Sequence, residues 1–146
     1  YGLVGSEMCI RDRAGVMLAI EPVEVNLVKV SDTLRLVKEA DSPWLQIYPD
    51  IANMKSLGID PVTELPQGRG HIANVHVRDS LPDYFYGVPL GTGNMDFIGV
   101  FKALDAMEYR GPLTIEMWNE TEENYMDIIS GARTFMIDKI RCARCS

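Results

Sequence analysis

HIANVHVRD, residues 71–79, is the stretch on which the fold turns. Ile72, Val75 and Val77 give it a β-branched apolar backbone, while His76 and Arg78 alternate with the valines, the period of two that marks a strand. Similar short runs lie on either side. GVMLAIEPV (15–23) and LQIYPDI (45–51) precede it, and LTIEMW (113–118) follows. Between them the apolar spacing changes to that of helices. SDTLRLVKEA (31–40) reads as a helix capped by Ser31 or Asp32, with Leu34, Val37 and Lys38 in helical register, and it stops at Asp41-Ser42-Pro43. Residues 53–70 should hold a helix interrupted by Gly58 and Pro61. Residues 97, 98, 101, 104 and 107 form one face of a helix over Phe97–Tyr109 that ends at Gly111-Pro112. Asn119 and Glu120 lead into a last helix from about Glu122 to Ile140, with Tyr125, Ile128, Ile129, Ala132, Phe135, Met136 and Ile140 on one stripe.

Strand and helix alternate four times, which predicts a parallel sheet in an α/β protein. Four β-α units make either half of an eight-stranded barrel or a small open, doubly wound sheet. The open sheet normally carries a glycine-rich turn directly after its first strand, and Glu21-Pro22-Val23-Glu24 stands there instead. The half barrel, a partial (β/α)8 TIM barrel, is the better reading.

The chain has 146 residues, 47% of them hydrophobic, which suits one domain with a modest core. Its 14 Lys and Arg are dispersed among 21 Asp and Glu, for a formal charge of −7, so no basic surface is available for a nucleic-acid backbone. The apolar runs, such as 15–20, fall well short of the roughly 20 residues that cross a bilayer. No membrane and no nucleic acid are therefore expected as partners. YGLVGSEMCIRDR lacks the apolar h-region of a secretory signal, so a cytoplasmic location is expected. That stretch, residues 1–13, joins abruptly onto a patterned strand and reads as a non-native segment, with 14–140 as the barrel half and 141–146 as a tail. Cys9, Cys142 and Cys145 lie in the terminal segments. An odd count describes no disulfide framework, and the one CxxC lacks the second pair that a zinc knuckle needs.

Each strand ends in a polar residue that interrupts an apolar run: Glu21 in LAIEP, Asp50 in IYPDI, His76 in NVHVRD and Glu116 in TIEMW. In a parallel barrel the C-terminal strand ends converge on one rim, where the active sites of this fold are built. Any one of these residues could simply cap a strand or pair at the surface. Three carboxylates and an imidazole that face each other need a cation, since buried charge without a partner is costly. A donor set of three oxygens and one nitrogen suits Mn²⁺ first, with Mg²⁺, Co²⁺ or Zn²⁺ as alternatives. His71, five residues before His76, falls on the opposite face and end of the strand and is assigned a structural role.

WLQIYPDIANM, GHIANVHVRD, VPLGTGNMDF and GPLTIEMWNET, in this order and spacing, resemble the L-ribulose-5-phosphate (L-xylulose-5-phosphate) 3-epimerases within the xylose-isomerase-like barrels. The resemblance spans residue 15 to about residue 138 and implies barrel strands five to eight, the C-terminal half. It also implies a four-ligand metal site on Glu21, Asp50, His76 and Glu116.

Epimerisation at C3 of a ketose removes a proton α to the carbonyl and returns one on the opposite face, through a cis-enediolate. Two acid/base groups are needed, and Glu21 and Glu116, from the first and last strands of the half, are assigned as catalytic. Arg78 shares a strand face with His76 and is a candidate for the substrate phosphate, or else a surface partner of Asp79 or Glu120. Backbone N–H groups of Gly91-Thr92-Gly93-Asn94 are a second candidate phosphate cradle, in a loop of roughly 17 residues, Ser80 to Asp96, that is long enough to suggest function. Asn53 would bond a sugar hydroxyl, and Trp118 would wall the pocket or serve as plain core. The expected partner is a small-molecule sugar phosphate, with a homodimer as a further possibility. A free-ketose epimerase, a hydroxypyruvate isomerase, an inosose dehydratase and an inactive barrel fragment are the rival readings.

Overall fold

The computed structural model describes residues 13–23, 27–82, 84, 86–118 and 123–145. Its elements are β1 (Leu18–Ile20), α1 (Val30–Ala40), β2 (Leu45–Ile47), α2 (Ile51–Ser56), α3 (Pro61–Glu64) with a 3-10 turn (Leu65–Gly68), β3 (Val75–Val77), α4 (Phe97–Ala106), β4 (Leu113–Ile115) and α5 (Tyr125–Cys145). β1 pairs in parallel with β2, Leu18 opposite Leu45, and β3 pairs in parallel with β4, Val75 opposite Leu113. Parallel bridges at Ile47–Ile72 and Asp50–His76 join β2 to β3. The strands thus follow one another in chain order with one direction, as barrel strands do and as the strands of an open doubly wound sheet do not.

Val75, Val77 and Ile47 are fully buried behind the sheet together with Ile51, Met54, Leu65 and Val100. Each such side chain contributes about 1.5–3 kcal/mol by leaving water. α1 lays Val30, Thr33 and Val37 on this core, and α4 lays Phe97, Val100, Phe101 and Leu104 on it.

Several boundaries differ from the sequence reading. α1 begins at Val30, so neither Ser31 nor Asp32 is its cap. Lys29 holds that position without a side-chain bond, and the Ser31 hydroxyl donates to Glu64 3.1 Å away. The helix ends as expected, with Asp41 left-handed at φ 45°. β2 stops at Ile47 because Asp50 caps α2: its Oδ1 accepts the N–H groups of Ala52 (2.7 Å) and Asn53 (3.1 Å). The expected interruption at Gly58 and Pro61 is present, Gly58 at φ 75° and Pro61 opening α3 behind the cap Asp60. α4 is capped by Asp96, which accepts the Gly99 N–H, and it ends at Ala106 rather than Tyr109.

α5 runs on past Ile140 to Cys145, with Ala143 packed against the core and Arg141 paired to Asp138 at 3.7 Å. Of the expected apolar stripe only Ala132 and Met136 are buried, because the helix packs on α4 through its later turns while Tyr125 and Ile129 stay exposed. The segment 1–13 lies, apart from Arg13, outside the described residues, as do Cys9, Asn119, Glu120 and the expected helix start at Glu122. Among the described residues no helix is long and apolar enough to cross a membrane.

Candidate metal centre

The four strand-end residues meet. One ligand atom from each of Glu21, Asp50, His76 and Glu116 lies within 4.8 Å of all the others. The cause is the register: Asp50 and His76 form a parallel bridge, and the Glu116 N–H bonds to Val77 O at 3.2 Å, so successive strands end at one level. His76 Nδ1 stands 2.9 Å from Glu21 Oε1 and 3.5 Å from Glu116 Oε2. The imidazole rests on the Tyr48 ring with centroids 4.0 Å apart, which fixes the nitrogen that faces the two glutamates.

Asp50 is fully buried and accepts on both oxygens, with Oδ1 on the two α2 amides and Oδ2 on Arg78 Nε at 2.6 Å. Arg78 also donates to Asn53 Oδ1 at 2.7 Å and has Nε 3.7 Å from Glu116 Oε2. Its guanidinium is therefore part of the buried centre and is no surface partner for Asp79. Burial pushes the Glu116 carboxyl above its usual range; the charges of Asp50 and Glu21 push the same way, while Arg78 and His76 oppose them.

Glu116 Oε2 is buried and accepts no hydrogen bond among the described residues. A carboxylate oxygen left in this way, beside two further carboxylates and an imidazole nitrogen, is what a divalent cation would satisfy. The residues present fit such an ion. Asn53 Nδ2 is likewise buried with no acceptor among the described residues, which leaves one donor beside the centre.

A cavity of about 360 Å³ opens next to Glu116, lined by Arg78, Leu90, Met117, Trp118, Ile128 and Phe135 among others. Trp118 is half exposed and meets Tyr86 edge to face at 5.3 Å, so it walls this cavity and is not core. His71 stands apart from the cluster: its carbonyl accepts the Ile47 N–H at 2.8 Å, a bond that holds β2 to β3.

The amides of 91–94 are not free to bind phosphate. Gly91 and Gly93 donate to Asp79 Oδ2 at 2.9 Å each, Thr92 to Pro89 O and Asn94 to Ser80 O. Asp79, considered in the sequence only as a partner for Arg78, is the residue that spends them. The signal was a carboxylate directly after VHVR, ahead of a long loop with a Gly-x-Gly.

A family model of the xylose isomerase-like TIM barrel matches residues 8–137. The chain belongs to the xylose isomerase-like TIM barrel family. Among curated proteins, this barrel is similar to L-ribulose-5-phosphate 3-epimerase UlaE of Salmonella paratyphi A, 41% identical over 133 residues, which is 90% of this chain and 46% of that protein. Among solved structures, a D-tagatose 3-epimerase-like protein matches with a TM-score of 0.79 and 21% identity, covering 97% of this chain and 53% of the other. An L-ribulose 3-epimerase matches at 0.75 and 24%, covering 90% and 50%. The chain thus spans about half the length of the relatives it matches, a partial barrel as the strand count implies.

Proposed function

We propose that Glu21, Asp50, His76 and Glu116 hold one divalent cation, Mn²⁺ first, and that this chain carries half of an epimerase inverting C3 of a pentulose 5-phosphate, L-ribulose 5-phosphate or L-xylulose 5-phosphate. The observation that carries the reading is the convergence of these four side chains within 4.8 Å at one end of a parallel sheet. The similarity to a named sugar-phosphate 3-epimerase supplies the substrate.

A cation held there supplies Lewis-acid stabilisation of the negative charge that builds on the ketose oxygen. The protein's own part is the proton traffic. Glu21 and Glu116, from the first and last strands, each approach His76 Nδ1, at 2.9 and 3.5 Å, and in this reading they serve opposite faces of the substrate. One takes the C3 proton to leave an enediolate, and the other delivers a proton to the opposite face. The substrate loses one proton and gains one: the accepting glutamate starts ionised, the donating one starts protonated, and exchange with solvent restores both states. Arg78 holds Asp50 in place, and Asn53, whose Nδ2 has no acceptor among the described residues, would donate to a sugar hydroxyl. Trp118 closes the side of the cavity.

The test is turnover of L-ribulose 5-phosphate and of free L-ribulose, after chelation and after Mn²⁺ is restored. Metal-dependent turnover with a strong preference for the phosphorylated sugar is expected. Equal turnover of both would favour the free-ketose reading. That second reading has one observation in its support: Arg78 is the sole cation lining the cavity among the described residues.

A further inference from the structure

Asp79 sits one residue past Arg78 and is 1% exposed. The four groups it accepts from are all backbone amides. Oδ1 takes Ser80 N (2.9 Å) and Met95 N (3.1 Å), and Oδ2 takes Gly91 N and Gly93 N (2.9 Å each). The two ends of the β3–α4 loop are thereby stapled to one carboxylate, with Asn94 N on Ser80 O as a further tie at 2.9 Å.

Two glycines permit the approach. A Cβ on Gly93 would stand 2.3 Å from Asp79 Oδ1 and from Ser80 O, and one on Gly91, at φ 87°, would stand 2.7 Å from the Phe135 ring. Between these fixed points the segment Gly87–Leu90 projects as one wall of the cavity that Arg78, Glu116 and Trp118 also line, and Tyr86 carries the loop onto Trp118.

We propose that Asp79 is a positioning residue that sets the substrate-facing wall of this site by clamping the β3–α4 loop. The identity of the substrate rests on the function proposed above; the clamp itself does not. A carboxylate is required, because each oxygen accepts two N–H groups. An asparagine in either flip would point its own NH₂ at two donors.

The test uses the intact chain with Trp44→Phe, so that Trp118 is its one tryptophan, and adds Asp79→Asn or Gly93→Ala. Gly93→Ala strains the same clamp without changing a charge, and it carries the test where Asp79→Asn fails to fold. In both variants acrylamide should quench Trp118 more readily, while calorimetry returns the parent's Mn²⁺ affinity. With L-ribulose 5-phosphate, KM should rise roughly tenfold while kcat falls less than about threefold, the pattern of lost uniform binding. Unchanged Trp118 quenching in the variants would overturn the proposal. So would a parallel loss of kcat and Mn²⁺ affinity, which would make Asp79 a support of the metal group instead. Where the parent binds Mn²⁺ but turns over no sugar phosphate, Trp118 quenching alone decides the clamp.

Discussion

Replacing Arg78 by methionine removes a guanidinium from beside a carboxylate with no solvent of its own. The side chain of Asp50 is 0% exposed and that of Arg78 6%. Taking away one partner of a buried ion pair costs about 3–5 kcal/mol, because the remaining charge is left in a poor medium. The lower end applies here, since Asp50 still accepts from two α2 amides at 2.7 and 3.1 Å. Methionine preserves most of the volume, so a cavity adds little. At about 2–4 °C per kcal/mol, a loss of about 3 kcal/mol lowers Tm by about 6–12 °C.

The same geometry sets the response to metal. In the parent, Arg78 already neutralises Asp50, and a cation must share that oxygen. In the variant the cation takes over the role, so added Mn²⁺ should raise Tm more in Arg78→Met than in the parent. Saturation at 100 times Kd corresponds to about 2.7 kcal/mol, enough to recover most of the loss. Scanning calorimetry in chelator and then in Mn²⁺ measures both quantities. A fall of less than about 2 °C without metal, or an equal gain in the two proteins, would refute the reasoning. Arg78→Lys, which keeps the charge and loses the fork, should fall between them.

Other outcomes follow from single contacts. Glu116→Gln removes the one buried oxygen that accepts no bond among the described residues, and Mn²⁺ affinity by titration calorimetry should drop by at least roughly tenfold; an unchanged affinity would take Glu116 out of the ligand set. Ile47→Ala, at a fully buried position where β2 meets β3, should cost about 2–5 kcal/mol in urea unfolding, and a cost under about 1 kcal/mol would mean that the core is not centred there. Among the described residues β1 and β4 each pair on one side, and Val16, Met17 and Leu18 are exposed beside β1. The 146-residue chain alone should therefore elute as a dimer or larger species in gel filtration, whereas a stable monomer would contradict self-association through that edge.

The alternation of β-branched strands with amphipathic helices was legible because burial imposes its period directly on residue type. Glu21, Asp50, His76 and Glu116 were legible for a related reason: a charged residue that closes an apolar strand is conspicuous against its surroundings. Helix boundaries were less so. Ser31 is a good cap by type, yet Glu64, distant in sequence, takes its hydroxyl and the cap falls two residues earlier, at Lys29. Asp50 was read as a strand end and a ligand, and its third task, capping α2, depends on where the strand stops.

What the amino-acid sequence determined by itself is local: strand or helix, polar or apolar end, and hence four β-α units with one ligand candidate each. Those properties are written in spacings of two and of three to four residues. Only the tertiary structure decided which distant groups neutralise one another. Arg78 turned inward to Asp50 and Asn53, and Asp79 consumed the amides of Gly91 and Gly93, the expected phosphate cradle. Charge and hydrogen-bond partners are chosen by distance in space, and the register of parallel strands, which sets those distances, is not expressed in any one segment.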